Sequence, residues 1–182
     1  LALSTNGQYL TMAGYDAVPG TAAVAQTDST VVNRVIGRID VNTGSIDTTT
    51  ALTDAYTSGG AASNSNIRSA VSSDGTQFWT TGTAAAATTA SAGVRYSELG
   101  GMTSTQVSST PTNTRVVNIA NGQLYVTTAS GSNIGVNSIG SGLPTGSGET
   151  TSLLPGFSAA TGTGNASPYD FWFKDANTAY VA

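Results

Sequence analysis

Ser72-Ser73-Asp74-Gly75-Thr76-Gln77-Phe78-Trp79 decides the reading of this chain. An Asp-Gly turn dipeptide stands directly before an aromatic run, the pattern of a tight β-hairpin. Such a turn needs positive φ, which Gly and Asn supply at little cost. The same outline recurs at Ser4-Thr5-Asn6-Gly7-Gln8-Tyr9-Leu10-Thr11 and at Ile119-Ala120-Asn121-Gly122-Gln123-Leu124-Tyr125-Val126. Lys174-Asp175-Ala176-Asn177-Thr178-Ala179-Tyr180-Val181 keeps the outline with the glycine replaced. Counted from Asn6, Asp74 and Asn121, the first three turns lie 68 and 47 residues apart.

Between these hairpins lie further strand pairs. Arg34–Asp40 with Ser45–Asp47 reads as one, Gly93–Leu99 with Thr105–Ser108 as a second, and Gly135–Ile139 with Thr151–Leu154 as a third. Four short strands per unit predict an all-β chain built as a β-propeller of about three and a half four-stranded antiparallel blades. The expected blades are 1–57, 58–112, 113–165 and an incomplete 166–182, one partial propeller over 1–182. Loops at Ala17–Thr30 and Gly82–Ala92 account for the uneven unit lengths. The Ala-rich stretch Thr83–Thr89 carries no helical apolar stripe and is expected to be a loop. A sandwich or stacked solenoid is the competing architecture.

Leu3-Ser4-Thr5-Asn6-Gly7-Gln8-Tyr9-Leu10, Leu124-Tyr125-Val126-Thr127 and Ala179-Tyr180-Val181-Ala182 resemble the repeats of secreted bacterial β-propellers, with their Asp/Asn-Gly turn and Tyr-Val strand. Asp40-Val41-Asn42-Thr43-Gly44 is similar to the outer hairpin of those repeats. The resemblance implies a propeller fold and an extracellular or cell-surface setting, and it carries no catalytic residue, because such folds serve many functions. Leu1 opens in strand-like sequence and Ala182 ends within it, so the chain reads as a piece of something longer. Half a propeller leaves two apolar blade faces uncovered, so the remaining blades are expected from the same chain or from a second copy.

Composition narrows the chemistry. The chain holds no His, no Cys and a single Lys, Lys174, with 10 acidic and 6 basic side chains in 182 residues. Zinc fingers, haem or iron–sulfur ligation, and triads or dyads that need His or Cys are excluded. A net charge of −4 offers no basic patch, so nucleic acid is not an expected partner. No apolar run reaches the 18 residues of a membrane helix, so no membrane insertion is expected.

The scarce arginines carry the sharpest site expectation. Arg68 lies six residues before Asp74 and Arg115 six before Asn121, and the same register in the fourth unit falls on Tyr169, or on Asp170 with a one-residue slip. In a propeller these positions start the innermost strands, where two forked guanidiniums and a phenol can bind an anion or a sugar. The alternative is that each Arg ties loop carbonyls together. Phe78, Trp79, Tyr125 and the run Tyr169-Asp170-Phe171-Trp172-Phe173 read as packing between blades, with Trp79 or Trp172 the candidates for a sugar-stacking platform.

The carboxylates are the only general acids or bases available, and turn capping is their commoner role. Asp16 and Asp170, each near an inner hairpin, are the first candidates for a carboxylate-dependent polysaccharide hydrolase or lyase, with a bound Ca²⁺ conceivable as its cofactor. Asp40–Gly44 shares the opening spacing of a calcium loop but lacks the later ligands, so it reads as a hairpin turn, and no metal ligands are assigned. Asn165-Ala166-Ser167 is the single N-glycosylation sequon. The 52 Ser and Thr residues are read either as O-glycan acceptors in loops or as a low-charge polar β surface. The leading expectation is therefore a non-catalytic extracellular module, structural or binding, with glycans or self-assembly as partners. A glycan-binding lectin is a further alternative.

Overall fold

A computed structural model describes residues 1–60, 65–157 and 167–182. The chain is all-β, and its fourteen described strands form four antiparallel sheets. Strands β1 (Ala2–Leu3), β2 (Tyr9–Tyr15), β3 (Arg34–Asp40) and β4 (Ile46–Leu52) make the first. The second contains β5 (Ile67–Ser72), β6 (Gln77–Gly82), β7 (Val94–Glu98) and β8 (Thr105–Ser108). Strands β9 (Thr114–Ala120), β10 (Gln123–Thr128), β11 (Gly135–Ile139) and β12 (Thr151–Leu153) make the third. The fourth is the two-stranded pair β13 (Phe171–Asp175) and β14 (Thr178–Val181). Every sheet is an up-and-down meander in chain order, so each strand pairs with its sequence neighbour. The expected breaks at 57/58 and 112/113 fall between sheets, and that at 165/166 lies outside the described residues.

The turns form where the glycine and asparagine chemistry placed them. Asn121 and Gly122 both take positive φ (50° and 73°), the requirement of a two-residue type I′ hairpin joining β9 to β10. Gly75 (φ 86°) has a second constraint: a Cβ there would stand 2.3 Å from the Tyr9 ring of the first sheet. Ser72 Oγ accepts the amides of Asp74 and Gly75 and donates to the Gln77 carbonyl, and Ser4 Oγ accepts the Tyr9 amide across the matching turn.

Successive sheets pack face to face. Ile36, Leu52, Tyr56, Ile67 and Phe78 form the core between the first and second sheets. Val71, Trp79, Val117, Leu124 and Ile139 form the core between the second and third. Tyr125 on β10 meets Phe173 on β13 with centroids 4.6 Å apart, joining the third sheet to the fourth. Burying one large aromatic ring per interface removes the greatest apolar area from water that a single side chain can supply.

A threonine pins each of these interfaces. Thr11 Oγ1 on β2 donates to the Ala70 carbonyl at 2.8 Å, Thr81 Oγ1 on β6 to that of Arg115 at 2.7 Å, and Thr127 Oγ1 on β10 to that of Tyr169 at 2.8 Å. In each case the second strand of one sheet holds the start or the middle of the next sheet's leading segment. This revises the view of Ser and Thr as a polar surface: most buried polar residues of the described chain are Ser or Thr. Thr48-Thr49-Thr50 belongs to β4, and Thr50 is buried. The hydroxyls of Thr11, Thr81 and Thr127 satisfy carbonyls that dry inter-sheet contact would otherwise leave unpaired, and Thr50 Oγ1 accepts the Gly100 amide.

Outer edges are covered too. Along β4, Ala51 and Thr53 donate their amides to Gly101 and Met102 in the β7–β8 loop, and the Glu149 amide donates to Val107 on β8. Covering an outer strand in this way blunts its tendency to recruit another chain. The Ala-rich segment differs from its expected loop: Ala86–Ser91 forms two short 3₁₀ turns that meet at a kink at Thr88.

Candidate functional site

The first strands of all four sheets wall one open cleft of about 730 Å³. Its polar groups include Arg68, Asn118, Tyr169, Asp170, Lys174 and Asp175. Two of the three positions singled out by the arginine register, Arg68 and Tyr169, line it directly.

Arg115 lies beside them. Its guanidinium carbon stands 5.5 Å from the centroid of Tyr169, a cation–π contact. Arg68 donates through Nη1 to Asn113 Oδ1 and, at 2.9 Å, to the Thr114 carbonyl. Burial pushes the Arg68 pKa down, and the neighbouring positive charge of Arg115 pushes it further the same way. The structure thus brings together Arg68 on β5, Arg115 on β9 and Tyr169 in the segment leading into β13.

Two further residues extend this group into the first sheet. Tyr15, at the end of β2, lies within electrostatic reach of Arg68, and Arg34, at the start of β3, stands 5.0 Å from the Tyr15 ring. Guanidiniums and phenols therefore run from the first sheet to the fourth. The sequence reading missed Arg34 and Tyr15 because it followed only the inner-strand register.

The three arginines differ in how far they are committed. Arg34 is fully buried and donates to the Tyr56 carbonyl from Nε and Nη2 (3.1 and 2.9 Å), and from Nη1 to the Val32 carbonyl (2.7 Å) and Thr27 Oγ1 (3.1 Å). It is a loop tie, the alternative role considered for Arg68 and Arg115. Arg68 is half committed. Arg115 makes no side-chain hydrogen bond to any described residue. Elsewhere, Arg38 and Arg95 are matched to Asp47 and Asp54 at 3.3 and 3.1 Å, whereas Arg34, Arg68 and Arg115 have no carboxylate partner among the described residues.

The other candidates fall apart spatially. Trp79 is completely buried, with Nε1 donating to the Pro144 carbonyl at 2.7 Å and its ring against Tyr96. It has no face left for a sugar, which corrects its place among the ligand-binding candidates. Trp172 is 59% exposed and stacked on Tyr180. Asp16 is exposed just after β2, and Asp170 is exposed on the cleft wall with Oδ1 accepting the Phe171 amide. Asn165 lies outside the described residues.

Most other carboxylates are occupied in turns. Asp28 accepts from Thr57 Oγ1, Ser58 Oγ and the Gly60 amide, and those hydroxyls hold its pKa below the ordinary carboxylate value. Asp40 and Asp74 are lowered by amide and hydroxyl donors within their own turns, and Asp47 by the Thr49 hydroxyl and amide along β4. Asp40 Oδ1 takes the Asn42 and Thr43 amides at 2.9 Å each, the hairpin arrangement favoured over a calcium loop. Among the described residues no group of three or more His, Cys, Asp or Glu is gathered where it could hold a metal ion. None of the helices described is long and apolar enough to cross a membrane. No family model, curated protein or solved structure matches the chain.

Proposed function

We propose that the four meanders are successive blades of a β-propeller, and that the chain acts as a non-catalytic extracellular binding module through the cleft its inner strands enclose. The observation carrying this reading is the repeated threonine staple, which ties the second strand of each sheet to the leading segment of the next, while every first strand turns to the same cleft. That is the arrangement expected of radial repetition.

The two outermost faces support it. Leu3, Leu10, Ile39 and Ile46 are successive cross-strand partners, so they form one apolar row across all four strands of the first sheet. Thr11, on the opposite face, points to the second sheet, so this row faces away from it. Leu3 and Ile46 are 53% and 69% exposed. On the fourth sheet Trp172 pairs with Tyr180, both 59% exposed. Both faces are suited to further blades, supplied by more of the same chain or by a second copy.

Asp28, Asp40, Asp47 and Asp74 are held ionised by local hydroxyl and amide donors, which suits a structural role for these four rather than that of the general acid of glycoside cleavage, whose pKa must be raised. Intact mass combined with light scattering and small-angle scattering on native protein tests the reading. A closed disc with a central opening is the expected shape, and an elongated stack or sandwich would overturn it. Turnover of a polysaccharide that is lost on Asp170→Asn would overturn the non-catalytic part.

A further inference from the structure

We propose that Arg115 and Arg68, with the ring of Tyr169 beside them, form a recognition site for the carboxylate of an acidic sugar of the uronate class; this rests on the binding-module reading above. Arg115 is a partly exposed guanidinium with none of its donors used by described residues, and Arg68 has committed only Nη1. Neither has a carboxylate partner among the described residues, in a chain whose other surface-accessible arginine, Arg38, has one. Two like charges held close without an intervening anion repel each other, and a bound carboxylate relieves that repulsion. The planar guanidinium fork matches a carboxylate in geometry as well as charge.

The surroundings select a sugar over a bare ion. Tyr169 is 56% exposed while Arg115 covers part of its ring, which leaves apolar ring surface for the C–H face of a pyranose. Asn118 supplies both donors and acceptors for hydroxyls, and a cleft of about 730 Å³ accommodates a disaccharide. Asp170 and Asp175 share the cleft, so an anion carrying one carboxylate fits better than a densely charged polymer.

The test is calorimetric titration of the intact protein with a glucuronate-terminated disaccharide, its methyl ester, and inorganic sulfate. The acid is expected to bind at least about tenfold more tightly than the neutral ester. Arg115→Gln should weaken it by about tenfold or more, the range for one lost charge-assisted hydrogen bond. Arg68→Gln should act in the same direction, and Met12→Ala, on the first sheet, should leave binding unchanged. Because Arg68 also holds Asn113 and Thr114, its variant is read only if its melting temperature is retained; Arg115→Gln carries the test alone otherwise. Equal binding of acid and ester overturns the carboxylate contact. Sulfate binding as tightly as the sugar overturns the sugar class, and no binding of the acid overturns the site. A protein that has the disc shape and fails to bind loses only this proposal, whereas a stack or sandwich that still binds loses only the propeller.

Discussion

The second sheet and the fourth carry similar aromatic sequence and use it in opposite ways. Phe78-Trp79 on β6 is buried on both faces, Phe78 against the first sheet and Trp79 against the third. Phe171-Trp172-Phe173 on β13 has one covered face, where Phe171 and Phe173 meet at 5.9 Å and Phe173 contacts Tyr125, and one open face carrying Trp172. The lesson is that a strand's alternation fixes which side chains share a face, while a neighbouring sheet fixes whether that face becomes core.

The comparison breaks most readily at the two tryptophans. Trp79→Ala should cost about 3–5 kcal/mol, since the cavity is walled on all sides and the Pro144 carbonyl loses its donor. Trp172→Ala in the same protein should shift stability by no more than about 0.5 kcal/mol, the ordinary range for an exposed position. Denaturant unfolding of both variants checks this. A large loss at Trp172 would mean that its face is covered in solution, and would identify where a further sheet or a second copy sits.

A finer probe is the staple. Thr81→Val leaves the Arg115 carbonyl unpaired between two four-stranded sheets, with an expected cost of about 1–3 kcal/mol. Thr127→Val breaks the equivalent bond to Tyr169 at the edge of the row, where the freed carbonyl reaches water more easily, so its cost should be smaller. Equal costs would show that the fourth sheet is held as firmly as the third. Within the first interface, Tyr56→Phe removes the donor that Thr80 and Gly93 receive, and should cost about 1 kcal/mol by thermal unfolding.

The smallest expected effect is that of acid. Asp28, Asp40, Asp47 and Asp74 all have folded pKa values below the ordinary one, so they favour the native state once ionised. Stability should therefore be constant above the normal carboxylate range and fall as pH drops below about 4. Asp40 and Asp74 cap turns of the first and second sheets, Asp47 holds Thr49 within β4, and Asp28 ties the β2–β3 loop to Thr57 and Ser58. Acid should accordingly loosen the first two sheets before the fourth, as hydrogen exchange at pH 3 would report.

The strands, their pairing order and the hairpin turns were legible because each depends on local chemistry: positive φ at Asn121-Gly122 and Gly75, and β-branched or aromatic runs on either side. The grouping of Arg68, Arg115 and Tyr169 was legible for a related reason, since equal offsets from equivalent turns place residues at equivalent points of successive sheets. Arg34 and Tyr15 escaped notice because they sit at the β2–β3 connection, outside that offset.

What the sequence alone determined was the strands and the hairpin turns that join them, because turn chemistry and period-two alternation act within a few residues. What only the tertiary structure decided was the fate of chemically identical residues. Trp79 lies in the core and Trp172 in the open; Arg34 is spent on loop carbonyls, while Arg115 is left with its donors unused by the described residues. Those outcomes depend on which sheet stands opposite, a contact between segments tens of residues apart that no local propensity encodes.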